Sequence, residues 1–184
     1  MEQNALTPEG EKKLKETLAH RRDVMRHQII KDIEEARAHG DLSENSEYHD
    51  ARERHSMNEG LIKHLENYLS SAVIIDVTTK EPPEGEERKI VFGCTVVLIE
   101  YDNDGAEVPL TDEKGNVLTD DDGEFLVEQT LRLVGVEEVD LKANKISYKS
   151  PIGKALMGHA EGDTIDVPVP TGVKTFEIVQ VLYR

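Results

Sequence analysis

The chain has no tryptophan, a single cysteine, three phenylalanines and no long unbroken apolar run. Each lack excludes something. With only Cys94 there is no internal disulfide, and its place inside IVFGCTVVLI reads as a small buried core residue in a reducing compartment. No stretch approaches the roughly 18 apolar residues of a membrane span. The charged start MEQNALTPEGEKKLK lacks the apolar core of a signal peptide. The expectation is a soluble, cytoplasmic monomer with no membrane partner. Basic residues are scarce too: 22 Lys and Arg stand against 38 Asp and Glu, a net charge of −16. That argues against non-specific grip on a nucleic-acid backbone, which needs clustered cations to displace counterions. The imbalance is uneven, because residues 1–75 hold fifteen acids and eleven bases and the remainder twenty-three and eleven.

What is present divides at about residue 78. Thr7-Pro8-Glu9 supplies a capping hydroxyl, a proline at the first helical position and an acid in the first turn. Leu14, Leu18, Met25, Ile29, Ile33 and Ala36 follow at helical spacing. Beyond a break come Tyr48, Ala51, His55, Asn58, Ile62, Leu65, Leu69 and Ala72, alternating threes and fours. That is a coiled-coil seam with two polar members, His55 and Asn58. Two such helices joined by a short turn run antiparallel. Residues 7–75 therefore read as helical, and residues 1–77 as an antiparallel coiled-coil finger roughly 45 Å long for arms of about 30 residues. Its acidic tip lies at 40–47. Arg21, Arg22 and Arg26 read as a solvated face.

Residues 78–89, TTKEPPEGEERK, form a Pro-, Gly- and charge-rich linker. Residues 90–184 read as a compact domain: five β-branched runs bounded by turn signals, with SPIGKALMGH as a short helix capped by Ser150 and started by Pro151. The fold class is α+β. Residues 100–128 carry eleven acids and one lysine, with DNDG and DDDG as turns. This reads as an acidic excursion, either a solvated hairpin or a flexible segment; the alternative, calcium binding, finds no oxygen spacing that matches a defined loop such as the EF-hand. The histidines include no pair spaced four apart on one helix, so zinc is not indicated.

The tip, ARAHGDLSENSEYHDARE at 36–53, supports two readings. In one, Gly40 ends the first helix and Asp41 and Glu44 form a capping box for the second. In the other, two carboxylates at a finger's end help hold a hard divalent cation. Magnesium typically takes one or two protein carboxylates and leaves its other positions to water and phosphate. The readings are compatible, since a capping carboxylate has a second oxygen.

LTPEGEKKLKETL, IEEARAHGDLSENSEYHDARE, VIIDV, VFGCTVVL and KISYKSPIGKALMGHAEGDTIDVPVP together strongly resemble the GreA/GreB family of transcript cleavage factors, the GreA type most closely. The resemblance covers nearly the whole chain except about twenty residues of the excursion. It implies a transcription elongation factor that is not itself an enzyme, with RNA polymerase and the nascent RNA 3′ end as partners. Asp41 and Glu44 match the family's tip acids, which help place Mg2+ and a water at the polymerase active site. Arg37, Tyr48 and Arg52 are candidates to meet the RNA end. For Tyr48 the alternative is packing against Ala36, and for Arg52 a surface ion pair. The second domain resembles the family's FKBP-like docking domain, with Ser150 and Pro151 as candidates for polymerase contact. Isomerase activity is not expected of a chain with only Phe92, Phe125 and Phe176 beyond its tyrosines. Two departures stand out: His27 replaces a family proline, which should straighten the first helix, and Lys149 precedes Ser150. A channel-binding regulator without cleavage activity and a structural coiled-coil adaptor remain as alternatives.

Overall fold

The computed structural model describes residues 4–38, 45–170 and 172–184, which divide into two compact units. The first holds residues 8–73. Its first arm comprises α1 (Pro8–His20), a π-helical turn (Arg21–Met25) and α2 (Arg26–Ala38); its second is α3 (Ser46–Ser71). The arms pair in antiparallel order: Arg21 meets Asn58, Arg26 meets Glu59, Asp32 meets Arg54, and Ala36 meets Asn45. Leu14, Ile29, Ala36, Ala51, Asn58, Ile62 and Leu65 are buried as the spacing predicts. Tyr68 is buried as well, while Leu69 and Ala72 are only half-buried. The second helix stops at Ser71, short of the expected residue 75. Ala72–Ile74 forms an extended strand, β2, that pairs with β1 (Asn4–Leu6) in a small two-stranded sheet. Three consecutive β-branched residues, Val73, Ile74 and Ile75, favour that change.

His27 lies in α-helical backbone, yet the arm is not the uniform α-helix expected there. In the first arm the apolar positions run from Leu14 to Ala36 over 22 residues, one more than the six alternating steps of three and four that carry Tyr48 to Leu69 in the second, and the π turn lies inside that stretch. The π turn absorbs that residue: the Arg26 N–H donates to the Arg21 carbonyl, five residues back instead of four. The solvated face assigned to Arg21 and Arg26 also needs correction. Arg26 makes a two-pronged ion pair with Glu59, both bonds 2.7 Å, and Arg21 is half-buried against Asn58.

The second unit is built on a five-stranded sheet in the order β5-β4-β3-β7-β6. The strands are β3 (Thr95–Tyr101), β4 (Glu128–Val134), β5 (Lys145–Ser147), β6 (Thr164–Val169) and β7 (Gly172–Leu182). Only β4 and β5 run parallel. The short helix α4 (Pro151–Leu156) packs on β6. Ile90, Cys94, Val96, Leu98, Leu133, Leu156, Ile178 and Val181 make a fully buried centre. Burial pushes the Cys94 thiol up to about 11, so it is an inert core group.

The Glu138 carboxylate collects three donors: the Thr7 N–H at 3.0 Å, the Thr7 hydroxyl and the Gly135 N–H at 3.1 Å. Thr7 is 2% exposed, so water cannot replace these bonds without local opening. Glu138→Ala is expected to lower stability by roughly 3 kcal/mol, the scale for removing a charged acceptor from part-buried donors. Glu138→Gln should lose less than half of that. Chemical denaturation midpoints at unchanged slope would check both.

The acidic excursion is not one hairpin. Three short turns repeat the same chemistry, at Asp102–Ala106, Asp112–Asn116 and Asp120–Glu124. In each, the first Asp accepts from the amides two and four residues on, at 2.8–2.9 Å. Each turns on a glycine with φ between +80° and +86°, a conformation L side chains avoid. The leucines between the turns close a ring of backbone bonds: Leu118 donates to Leu110, Leu126 to Leu118 and Leu110 to Leu126.

Candidate functional site

The break between the arms carries the motif on which the functional reading turns. Gly40, Asp41 and Glu44 lie outside the described residues, as do the helix end and capping box expected there. The flanks are described. The first arm is described as far as Ala38, and α3 opens with Asn45 as its cap. The Asn45 side-chain oxygen accepts the Tyr48 N–H at 3.1 Å, and its amide donates to the Ala36 carbonyl at 2.8 Å. Asn45 thus satisfies one exposed helix donor and ties the start of one arm to the end of the other. Sequence reasoning passed over it, although an Asn just before a helical run is a strong cap signal.

Tyr48 is half-buried, as a seam residue should be. The Arg52 guanidinium sits over the Tyr48 ring, 5.9 Å from its centre, a cation–π contact where the alternative reading places an ion pair with neighbouring acids. Arg37 is exposed at the end of the first arm. Beside these cations lies an open groove of about 330 Å³ lined by Asp32, Glu35, Ala36, Glu47, Asp50 and Arg54. The flank therefore offers exposed cations for a phosphate, next to a surface that is otherwise acidic. Among the described residues no group of His, Cys, Asp or Glu is arranged to hold a metal.

Farther down, Asp32 is held below its ordinary range by the Gln28 amide and by Arg54, and Glu59 by Arg26. For an acid depressed in the folded chain, protons bind the unfolded chain more readily. The stabilisation is whole above the ordinary carboxylate range of about 4 and is lost as pH falls through the folded value. Helix melting followed at 222 nm should therefore lose midpoint between pH 5 and pH 3. Arg26→Gln should flatten part of that fall while leaving the rest to Asp32.

In the second unit, Ser150 caps α4 as predicted: its hydroxyl accepts the Gly153 N–H at 3.1 Å and donates to the Ser147 carbonyl at 2.7 Å. The hydroxyl is committed to the turn, whereas Pro151 is exposed. The Lys149 ammonium lies 5.6 Å from the centre of the Tyr148 ring. The candidates thus fall into two groups: Arg37, Tyr48 and Arg52 flank the break between the arms, and Ser150 with Pro151 opens a helix of the sheet domain.

A helical hairpin with an acidic connection, joined in one chain to a mixed sheet with one short helix, defines a coiled-coil factor of α+β class. Two family models match it: "Transcription elongation factor, N-terminal" over residues 4–74 and "Transcription elongation factor, GreA/GreB, C-term" over residues 117–183. The chain belongs to the GreA/GreB family of transcription elongation factors. It is 44% identical over 179 residues to the transcription elongation factor GreA of Brucella anthropi, covering 97% of each chain. Against the GreA of Brucella canis it is 42% identical over 183 residues, covering 100% of this chain and 99% of the other. A solved structure, the GreA factor homolog 1 of Thermus thermophilus, is 26% identical over 98% of this chain and 99% of its own, with a TM-score of 0.38. Among the described residues no helix is long and apolar enough to cross a membrane.

Proposed function

We propose that this chain enters the secondary channel of RNA polymerase and stimulates cleavage of the 3′ end of backtracked RNA. The observation that carries the reading is the unbroken run GDLSENSEYH, which spans the break between the two arms of a helical hairpin and the start of the second. It occurs in a chain that aligns end to end with relatives named transcription elongation factor GreA. The chain is not a nuclease by itself; it works on the polymerase's own active centre, in the cytoplasm where the polymerase is. Two carboxylates are hard oxygen donors that suit Mg2+, but two alone make an incomplete site. Asp41 and Glu44 would complete one that the polymerase begins. When bound there, Mg2+ supplies an activated water and stabilises charge on the cleaved phosphate.

The remaining work belongs to the chain's own residues. Asp41 and Glu44 each offer an oxygen toward the shared site and orient the attacking water by hydrogen bonding. Arg37 and Arg52, exposed on either side of the break, face the phosphates of the RNA end, where a guanidinium matches two oxygens at once. Tyr48 supports Arg52 through its ring. Pro151, on the turn that Ser150 holds, meets the polymerase surface.

The test is RNA cleavage in a stalled, backtracked elongation complex with Mg2+, with and without the chain. Acceleration supports the reading. A chain that binds the complex and leaves the cleavage rate unchanged overturns it in favour of a channel-binding regulator. A chain that does not bind leaves the adaptor reading.

A further inference from the structure

The first arm carries one residue more than the seam of α3 calls for, and the structure stores it in the π turn at Arg21–Met25. A π turn can shift along a helix, because moving it changes only which carbonyl accepts at five residues instead of four. What holds this one is on the facing helix. Asn58 is 3% exposed, one of the few buried polar residues among those described. Its amide donates to the Arg21 carbonyl at 3.2 Å, the same oxygen that accepts the displaced Arg26 N–H. Its own oxygen accepts from the Arg21 guanidinium at 3.3 Å. The next residue along, Glu59, is the one that takes both prongs of Arg26. The two ends of the π turn are thus gripped by consecutive residues of α3.

From this we infer that Asn58 is a positioning residue: by holding the π turn, it fixes where the first arm ends relative to the second and so where Asp41 and Glu44 are delivered. The inference rests on the function proposed above. Asn58 lies twelve residues past the start of α3, about 18 Å along the helix, and so acts only through the arms. If the extra residue moves from the turn toward the break, the end of the first arm advances by about 1.5 Å and turns by roughly a quarter of a circle against α3. A polar seam residue is a known means of fixing coiled-coil register at a cost in stability. An apolar residue at position 58 would bury well and remove the cost, but nothing would then select the Arg21 carbonyl.

That separates positioning from a merely structural role. Asn58→Leu is expected to raise the melting temperature, keep polymerase binding and lower stimulated cleavage on the order of 10-fold to 100-fold. A misplacement of about 1 Å at a reacting centre can cost about 100-fold. Asn58→Asp, which keeps the acceptor for Arg21 and loses the donor, should fall between the two. The second readout is the spacing of spin labels on cysteines introduced at Glu34 and Glu53, one on each arm; the fully buried Cys94 stays out of reach of the label. In Asn58→Leu the label distance should shift or broaden. A variant with wild-type cleavage, or with an unchanged distance distribution, overturns the inference. If the wild-type chain itself fails to accelerate cleavage, the functional reading fails, and the label distance still decides whether Asn58 holds the arms.

Discussion

Asp41→Asn and Glu44→Gln are each expected to abolish most of the stimulated RNA cleavage, with a loss at least on the order of 100-fold. Loss of an outer-shell partner alone costs a metal site about 10- to 100-fold, and a direct ligand is worth at least as much. Both variants should bind the elongation complex as the wild type does. The substitutions are chosen to part the two readings of the tip. Asn caps a helix as well as Asp does, so Asp41→Asn keeps any capping bond and removes only the charge. If the acids were caps alone, this variant would cleave at the wild-type rate, and Asp41→Ala would lower stability by about 1 kcal/mol without a specific loss of activity. If they lend oxygens to a shared Mg2+, cleavage falls while the helix melt stays in place. Raising Mg2+ should then recover part of the rate, because a weakened site fills at higher concentration. A rate that does not respond to Mg2+ would sink the borrowed-ligand account while leaving the acids important for another reason.

Gly153→Ala is expected to be the most damaging small substitution in the sheet domain. An added Cβ would stand 2.3 Å from the Ser147 carbonyl oxygen and 2.9 Å from the Tyr148 Cα. Both are backbone atoms, and neither can swing aside. The turn they belong to leads directly into Ser150 and Pro151, so relief of the clash must displace the start of α4 and the Ser150 cap. A cost of about 3 kcal/mol follows, the upper part of the range for overpacking, along with weaker binding to the elongation complex. Gly60→Ala is the control: a Cβ there meets nothing within 4 Å, and the residue sits in the exposed middle of α3. It should stabilise by about 0.5–1 kcal/mol, as Gly to Ala does in a helix interior. Equal effects from the two substitutions would mean that the tight approach at Gly153 is relieved without disturbing the turn.

Much of the architecture was legible because local chemistry and tertiary structure agree. The runs TVVLIEY and FEIVQVL are β-branched and bounded by turn residues, and they fall within β3 and β7. Ser150-Pro151 announces the start of α4, and the threes and fours of α3 announce its buried face. β1 was not legible, since Asn4-Ala5-Leu6 has no strand character of its own and becomes extended only by pairing with β2. Tyr68 was missed because a strict alternation of threes and fours picks Leu69, whereas the helix buries the larger ring beside Leu65. The surplus residue that the π turn takes up falls between Leu14 and Ala36, but steps of four are also ordinary in a helix and do not say where it sits. The partners of Arg21 and Arg26 could not be read from one arm alone. For the site, the motif itself points to Asp41 and Glu44, while the cap at Asn45 with its tie to Ala36 and the Arg52–Tyr48 contact arise only in the folded arms.

The three Asp-Gly turns between β3 and β4 bear on how the sheet assembles. Pairing Ile99 with Glu128 requires the chain between them to close on itself, and an open loop of that length would carry its full closure entropy. Here LTDEKGNV and LTDDDGEF repeat one eight-residue plan, and each turn can close using only bonds within itself. The ring through Leu110, Leu118 and Leu126 then draws the ends of the repeats together. To the strands on either side, the long connection behaves as a short one: its contacts are local, and the β3–β4 pairing closes as a hairpin would. Length inserted at this point therefore comes folded, and adds acidity to the domain with little hindrance to its central sheet.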